Sequence, residues 1–374
     1  RGASAPIQEL RYILEDCSAS ALVVQSAELW TQLGLSEEHK QQLKVVVQLE
    51  GEPIDQSIYG WDSFGSIALD KFREKDLSYI ENNNVDKSSV ATILYTSGTT
   101  GKPKGVPLTH SNLLHQIRSL ACVANPGVGD PVLSVLPIWH AYERSAEYYF
   151  FSCGCTQTYT SIKKLKNDLP KVRPVIMATV PRLWEAIKDG FDEVLKGMPK
   201  YSRFFLKSAL SNSCSYKLAL RTVQGLLIDK PTKRQLLVAM VQLFVRWPIH
   251  QSSALVLWPK VVSQITGGNL LYPINGGGAI APHVDLFFEA VGIELLVGYG
   301  LTETSPVVSC RRPWRNIRGS SGTPLPETEF RIVDPETGSP KKFLQKGRVL
   351  VKGPQVMSGY LGKPDATSKV LDSE

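Results

Sequence analysis

The sequence predicts an α/β fold, with a parallel sheet and covering helices followed by a small antiparallel β-subdomain, on three observations. Short apolar runs alternate with amphipathic stretches along most of the chain. Glycine-rich turns repeatedly carry a strand into the helix that follows it, the rhythm of a parallel sheet. Beyond Thr304 the texture changes to Pro and Gly turns between short alternating runs, as antiparallel hairpins require.

In order, Ile7, Leu10, Ile13 and Leu14 share one helical face, and Ala21–Val24 and Val45–Val47 read as short strands. A strand at Val90–Tyr95 leads through a Gly-rich loop ending at Gly105 to a helix from about Ser111, where Leu113, Leu114, Ile117 and Leu120 recur at helical spacing. The unit repeats at Val132–Leu136, and at Val175–Val180 with Pro181 at a first helical position. It returns at Tyr272–Asn275, with three glycines, the helix Pro282–Ala290, Gly292 as stop and the strand Ile293–Val297. Glu329–Val333 and Arg348–Val351 flank an Asp-Pro-Glu-Thr-Gly turn in the tail. The expected organisation is a partial α/β subdomain over 1–88, a nucleotide-binding α/β subdomain over 89–304 with a helical basic insertion at about 190–260, and a truncated β-subdomain over 305–374.

Composition narrows the class. With 374 residues, 43% hydrophobic and 21% charged, the chain is too apolar for disorder and long enough for two or three lobes. Six scattered cysteines match no zinc or thioredoxin spacing and read as buried thiols of a reducing compartment. The longest apolar stretch, Leu236–Val245, is about half of what a spanning helix needs. The net +7 is local: Leu195–His250 holds ten Lys and Arg against the single Asp229, a net +9 that leaves the remainder at −2. A nucleic-acid partner is therefore not expected from charge.

The densest chemical signal is Tyr95-Thr96-Ser97-Gly98-Thr99-Thr100-Gly101-Lys102-Pro103-Lys104-Gly105. Its glycines let backbone approach a ligand, its hydroxyls donate, and its lysines neutralise charge, which together suit a polyphosphate better than they suit an ordinary polar turn. It is not a Walker loop, because two residues rather than four separate its glycines and Pro103 follows the Lys. Gly276-Gly277-Gly278-Ala279 ends a strand and opens toward a helix, where free N–H groups and a positive dipole end collect. Tyr299 between Gly298 and Gly300 suits stacking on a flat ring, against the commoner reading of a core tyrosine. Glu303, after Thr302, is a single carboxylate of the kind Mg²⁺ takes alongside phosphate and water; alone it would be a solvated loop residue.

These strings, in this order, resemble the signatures of the adenylate-forming (acyl-activating, AMP-binding) enzymes. The run YTSGTTGKPKGVPLTH is similar to their phosphate-binding loop, Asn275–Ala279 to their adenine-binding segment, and Gly298–Thr304 to their nucleotide and magnesium motif. Gly347–Tyr360 resembles the β-subdomain that follows, and Leu136–Arg144, which contains Trp139-His140-Ala141-Tyr142-Glu143-Arg144, resembles a stretch of long-chain acyl synthetases. The resemblance implies the incomplete N-terminal domain of that fold and an AMP-forming acid–thiol ligase using ATP and Mg²⁺. It further implies that Thr96, Ser97, Gly98, Thr99, Thr100, Gly101 and Lys102 hold phosphates, that Gly276–Ala279, Tyr299, Gly300 and Thr302 bind the nucleotide, that Glu303 holds the metal, and that Thr302, Glu303 and His140 act on the reacting groups.

The implied substrate is a long-chain fatty acid and the implied acceptor acyl carrier protein, with similarity to plastidial plant ligases and hence an expected plastid location. A long-chain fatty acid–CoA ligase, or a truncated nucleotide- or acyl-binding product without catalysis, are the alternatives. In the family an Asp, an Arg and the Lys of a lid domain follow the β-subdomain, beyond Glu374 here, so an internal fragment that turns over poorly is expected. The basic insertion is expected to be a docking surface for carrier protein or an anionic membrane, with Lys200, Arg203, Lys207, Lys217, Arg221, Lys230, Lys233 and Arg234 unpaired within the segment.

Overall fold

The computed structural model describes residues 5–54, 56–74 (71–74 in backbone alone), 85–96 and 101–372. The chain divides into two compact units, Arg1–Ser111 with Met357–Glu374, and Asn112–Val356.

The first unit opens with α1 (Ile7–Asp16), β1 (Ala21–Val24), α2 (Ala27–Leu33), α3 (Glu37–Gln42), β2 (Val45–Gln48), β3 (Ile58–Gly60) and α4 (Trp61–Glu74). Ser26 caps α2 by accepting from the Leu29 N–H, and Gly34 ends it in the left-handed region. The strands pair in parallel in the order β1-β2-β3, and Val24, Val46 and Ile58 are buried together under Leu29 and Trp30.

β4 (Val90–Thr96) differs from the expected strand–loop–helix unit: it turns back into a second strand, β5 (Lys104–Thr109), paired antiparallel with Thr96 opposite Lys104. A seven-residue connection is too short for a parallel crossover, so the loop must close a hairpin. The alternation of buried Val106 and Leu108 was the available signal, obscured by Gly105 and Pro107. A polar cluster ties distant parts of this unit together. The hydroxyls of Tyr12 and Tyr95 donate to the two Asp16 oxygens, each at 2.8 Å, and Lys363 Nζ donates to Tyr12 Oη at 2.8 Å. Burial alone would raise the Asp16 pKa, but the two phenols and the Lys363 charge outweigh it and lower the carboxyl.

The second unit is built on a seven-stranded sheet in the order β12-β11-β10-β9-β8-β6-β7. Its elements after α5 (His110–Leu120) are β6 (Pro131–Ser134), α6 (Ala141–Ser152), β7 (Thr156–Tyr159), α7 (Leu165–Val172) and β8 (Ile176–Thr179). Four helices follow, α8 (Pro181–Gly197), α9 (Lys200–Gln224), α10 (Lys233–Val256) and α11 (Trp258–Thr266). Then come β9 (Tyr272–Asn275), α12 (Pro282–Val291), β10 (Leu296–Gly300), β11 (Val307–Cys310), β12 (Thr323–Pro324), β13 (Glu329–Val333) and β14 (Arg348–Lys352). β10, β9, β8, β6 and β7 run parallel, β11 and β12 extend the sheet antiparallel, and β13–β14 form a separate antiparallel hairpin.

β8 is buried at all four positions, as a strand covered on both faces must be. The last parallel strand is Leu296–Gly300 rather than Ile293–Val297. Ile293 and Leu295 belong instead to the buried cluster of Trp184, Trp258, Phe287 and Phe288 beneath the helices. Apolar residues here serve a connection, which periodicity alone cannot separate from a strand. The six cysteines are unpaired, with Cys310 buried and the others only half-buried. Among the described residues no helix is long and apolar enough to cross a membrane.

Candidate functional site

Four connections leave the carboxyl ends of neighbouring parallel strands in the second unit. Pro137–His140 follows β6, Val180 follows β8, Gly276–Ala279 follows β9 and Leu301–Ser305 follows β10. A ligand of an open α/β sheet binds at that edge, where strands end and helices begin. His140, Gly276, Gly277, Gly278, Ala279, Tyr299, Gly300, Thr302 and Glu303 are thus gathered on one side of one sheet.

Small residues make that edge close-packed. A β-carbon on Gly276 would lie 3.0 Å from the Tyr142 ring, whose hydroxyl donates to Ile274 O at 3.2 Å. Thr179 Oγ1 donates to Ile274 O at 2.6 Å and accepts from Trp184 Nε1 at 2.8 Å, so β8, β9 and α8 are pinned at this level. Gly276 N–H is taken up by Thr179 O, whereas Gly277, Gly278 and Ala279 are exposed and their N–H groups join no backbone hydrogen bond among the described residues. Such a turn is a cradle with donors to offer. Asn275, fully buried, leaves both side-chain amide atoms without a partner among the described residues.

Tyr299 is half-buried on β10, opposite Ser309. A β-carbon on Gly300 would fall 1.9 Å from Pro306 O, so only glycine lets the strand pass the turn that follows. That turn is a 3₁₀ segment, Thr302–Thr304, held by Thr304 Oγ1, which accepts from Leu301 N at 3.0 Å and donates to Pro306 O at 2.6 Å. Glu303 is half-buried on it. Among the described residues no cluster of three or more His, Cys, Asp and Glu side chains holds a metal alone. Glu303 is a single carboxylate, of the kind that Mg²⁺ takes when phosphates and water complete its shell.

His140 is exposed at the N-cap of α6, with its backbone N–H on Pro137 O and its carbonyl accepting from Arg144. One turn into α6, Glu143 is fully buried and neither oxygen makes a well-formed hydrogen bond among the described residues. Burial pushes its carboxyl up to about 7, with Glu147 adding to the rise and Ser134 opposing it. Sequence reasoning passed over Glu143; the signal was an acid in the first turn of a helix whose following residues are largely apolar.

The Gly-rich loop lies in the first unit. Thr96 ends β4, Gly101 has φ +89°, and Lys102 Nζ stands 5.7 Å from the centre of the Tyr12 ring. Ser97, Gly98, Thr99 and Thr100 lie outside the described residues.

Loops at the carboxyl edge of a parallel sheet, one rich in glycine and one carrying a Tyr and a single carboxylate, make this edge the candidate ligand site of an α/β protein. The chain belongs to the AMP-binding enzymes, a family that matches residues 2–361. It is 39% identical over 393 residues to the probable acyl-activating enzyme 16, chloroplastic, of Arabidopsis thaliana, covering 100% of this chain and 54% of that protein. To the long-chain-fatty-acid–acyl-carrier-protein ligase AEE15, chloroplastic, of the same plant it is 38% identical over 392 residues, with the same coverage. The chain thus spans about half the length of the curated relatives it matches. Among solved structures, a long-chain-fatty-acid-CoA ligase from Archaeoglobus fulgidus superposes with a TM-score of 0.65 at 19% identity, over 98% of this chain and 60% of that one. The N-terminal domain of FACL13 from Mycobacterium tuberculosis does so with 0.63 at 17% identity, over 100% and 73%. These likenesses establish the fold as that of adenylate-forming ligase N-terminal domains.

Proposed function

We propose that the protein containing this chain uses ATP to activate a long-chain fatty acid as its acyl-adenylate and passes the acyl group to a thiol, that of acyl carrier protein, in a plastid. The observation that carries the reading is the gathering of Gly276–Ala279, Tyr299–Glu303 and His140 at the carboxyl edge of adjacent parallel strands in a member of the AMP-binding family. The acid and location are supported by the chloroplastic ligase and acyl-activating relatives.

In this reading the fatty carboxylate attacks the α-phosphorus of ATP, the bond to the β-phosphate breaks, and pyrophosphate leaves; the thiol then displaces AMP. Charge on the transferring phosphoryl group is the main obstacle, so preorganised donors and cations carry catalysis. The exposed N–H groups of Gly277–Ala279 receive the purine edge and Tyr299 stacks on its ring. Thr302 donates to a phosphate oxygen, and Glu303 holds Mg²⁺, which neutralises phosphate charge when bound. Thr96–Lys102 carry the hydroxyls, glycines and Lys that suit a polyphosphate. His140, at a helix start, orients the acid's carboxylate beside the α-phosphate.

A second reading, transfer to CoA, is favoured by the 29% identity with long chain acyl-CoA synthetase 7, peroxisomal, of Arabidopsis thaliana, over 76% of this chain and 38% of that protein. The test is ATP–pyrophosphate exchange by the full-length protein with long-chain acids, followed by acyl transfer with carrier protein and CoA compared. Exchange that does not depend on a fatty acid would refute the substrate class; exchange followed by transfer to CoA alone would replace the acceptor.

A further inference from the structure

The α9–α10 hairpin is inside out. Its seam is narrow and carries polar and small residues: Asn212 Nδ2 donates to Arg246 O at 3.1 Å, His250 Nδ1 meets Ser213 Oγ at 2.9 Å, and Ala209, Ala219 and Ala239 are buried. Away from the seam, α10 carries Leu237, Val241, Phe244 and Val245 at 65%, 57%, 84% and 66% exposure, spaced by three and four residues. On α9, Tyr201 and Phe204 are 91% and 74% exposed. A helix on a protein surface ordinarily turns a polar face outward.

The charges are sorted too. Lys200, Lys207, Lys230, Lys233 and Arg234 are exposed and pair with no carboxylate among the described residues. Two cations of the insertion do not belong to this surface, contrary to the expectation from sequence. Arg221 forms a buried ion pair with Glu289 of α12, and Lys217 stands 3.7 Å from Glu294. Arg318 and Arg311 join Asp285 in the same buried network, which therefore holds three guanidinium groups against two carboxylates. Burial and the neighbouring Arg221 lower the Arg318 pKa, and its Nε has no hydrogen-bond partner among the described residues. At the turn of the hairpin Arg318 lines a cavity of about 700 Å³, with Lys230 and Arg234 at its side and Leu218, Ile228 and Val238 in its walls. Asp229 also lines it, so three cations stand there against one carboxylate and the cavity is net positive.

We propose that this hairpin docks on an anionic lipid bilayer, its apolar stripe entering the headgroup–acyl boundary and one phosphate-bearing headgroup reaching the cavity beside Arg318. Large apolar side chains with basic residues and almost no acids are the signature of a helix that lies in the interface. α10 has 24 residues, about 36 Å along its axis, and no described helix can cross a bilayer, so it rests in the surface plane. Charge complementarity selects the lipid: cations without acids favour an anionic surface, and Phe and Leu beside them enter hydrocarbon without seeking hydrogen bonds. The inference stands independently of the acid that the enzyme activates.

The experiment is co-sedimentation of the full-length protein with vesicles of phosphatidylcholine alone and with about 30 mol % phosphatidylglycerol. Binding to the anionic vesicles is expected to be at least about tenfold tighter than to neutral ones and to weaken as salt is raised. Leu237→Ser with Phe244→Ser is expected to lower it about tenfold or more while the unfolding midpoint holds. Lys230→Glu with Lys233→Glu and Arg234→Glu is expected to remove the preference for anionic lipid. Absence of binding to anionic vesicles, or binding that neither variant changes, overturns the proposal. So does a large fall in the unfolding midpoint of the serine variant without vesicle binding, because the rest of the protein then covers the face. A loss of carrier-protein affinity on charge reversal, with vesicle binding intact, overturns it in favour of a protein partner.

Discussion

The carboxyl edge of the sheet and the α9–α10 hairpin belong to the same unit and solve opposite problems. At the edge, Gly276 and Gly300 bring backbone within reach of Tyr142 and Pro306, and Thr179 and Thr304 direct their hydroxyls to main-chain carbonyls. Apolar side chains lie beneath, in β8 and under α12. In the hairpin, charge is buried at Arg221–Glu289 while Phe244 and Tyr201 face outward. Self-consistency of the fold explains the first region; the second departs from it, and such departures mark places where something other than folding sets the sequence.

The largest effect expected comes from breaking the hairpin's buried charge. Glu289→Gln leaves Arg221 and Arg318 short of a counter-charge and should cost about 3–5 kcal/mol in urea unfolding. A cost below about 1 kcal/mol would mean that water already reaches the network. At the sheet edge, Glu303→Gln should reduce fatty-acid-dependent ATP–pyrophosphate exchange by about 10²–10³-fold without moving the unfolding midpoint. Unchanged exchange would remove Glu303 from the metal site.

The two regions should also respond to pH with opposite signs. Glu143 titrates near 7 when folded and 4.5 ordinarily. Between those values the folded state keeps a proton that the unfolded chain has lost, so stability falls as pH rises through that window. His250, buried against Ser213 and stacked on Tyr216, is pushed down by burial and by the Lys217 charge to about 4 from 6.5. There the unfolded chain takes the proton first, so stability is full above 6.5 and falls as pH drops toward 4. Each amplitude is roughly 3 kcal/mol, and denaturation curves across pH with Glu143→Gln and His250→Gln should each flatten one limb. The smallest effect is that of Lys102→Ala, about tenfold on exchange, since a point charge is lost while backbone donors of its loop remain.

Much of this contrast was legible in the sequence. Tyr272–Asn275 and Ala21–Val24 are strands at the expected residues because short apolar runs between turn residues have few alternatives. The Gly-rich segments stood out in the sequence as well; Gly300 occupies a position where no β-carbon fits, and at Gly276 one would crowd the Tyr142 ring. The β4–β5 hairpin was not, because Gly105 and Pro107 hide its alternation, and neither was the partner of Arg221, which lies 68 positions away on another helix. Pairing at that distance is decided by tertiary packing and leaves no local periodicity.

The bond between Lys363 and Tyr12 joins residues 351 positions apart within one unit. At about 5–20 residues per second of synthesis, Tyr12 leaves the ribosome roughly 20–70 s before its partner exists. The 245 residues from Asn112 to Val356 are complete as a unit before that partner is made. Vectorial folding therefore favours the inserted unit first, with α1 and the β4–β5 hairpin held in an unfinished unit that a chaperone would meet during translation.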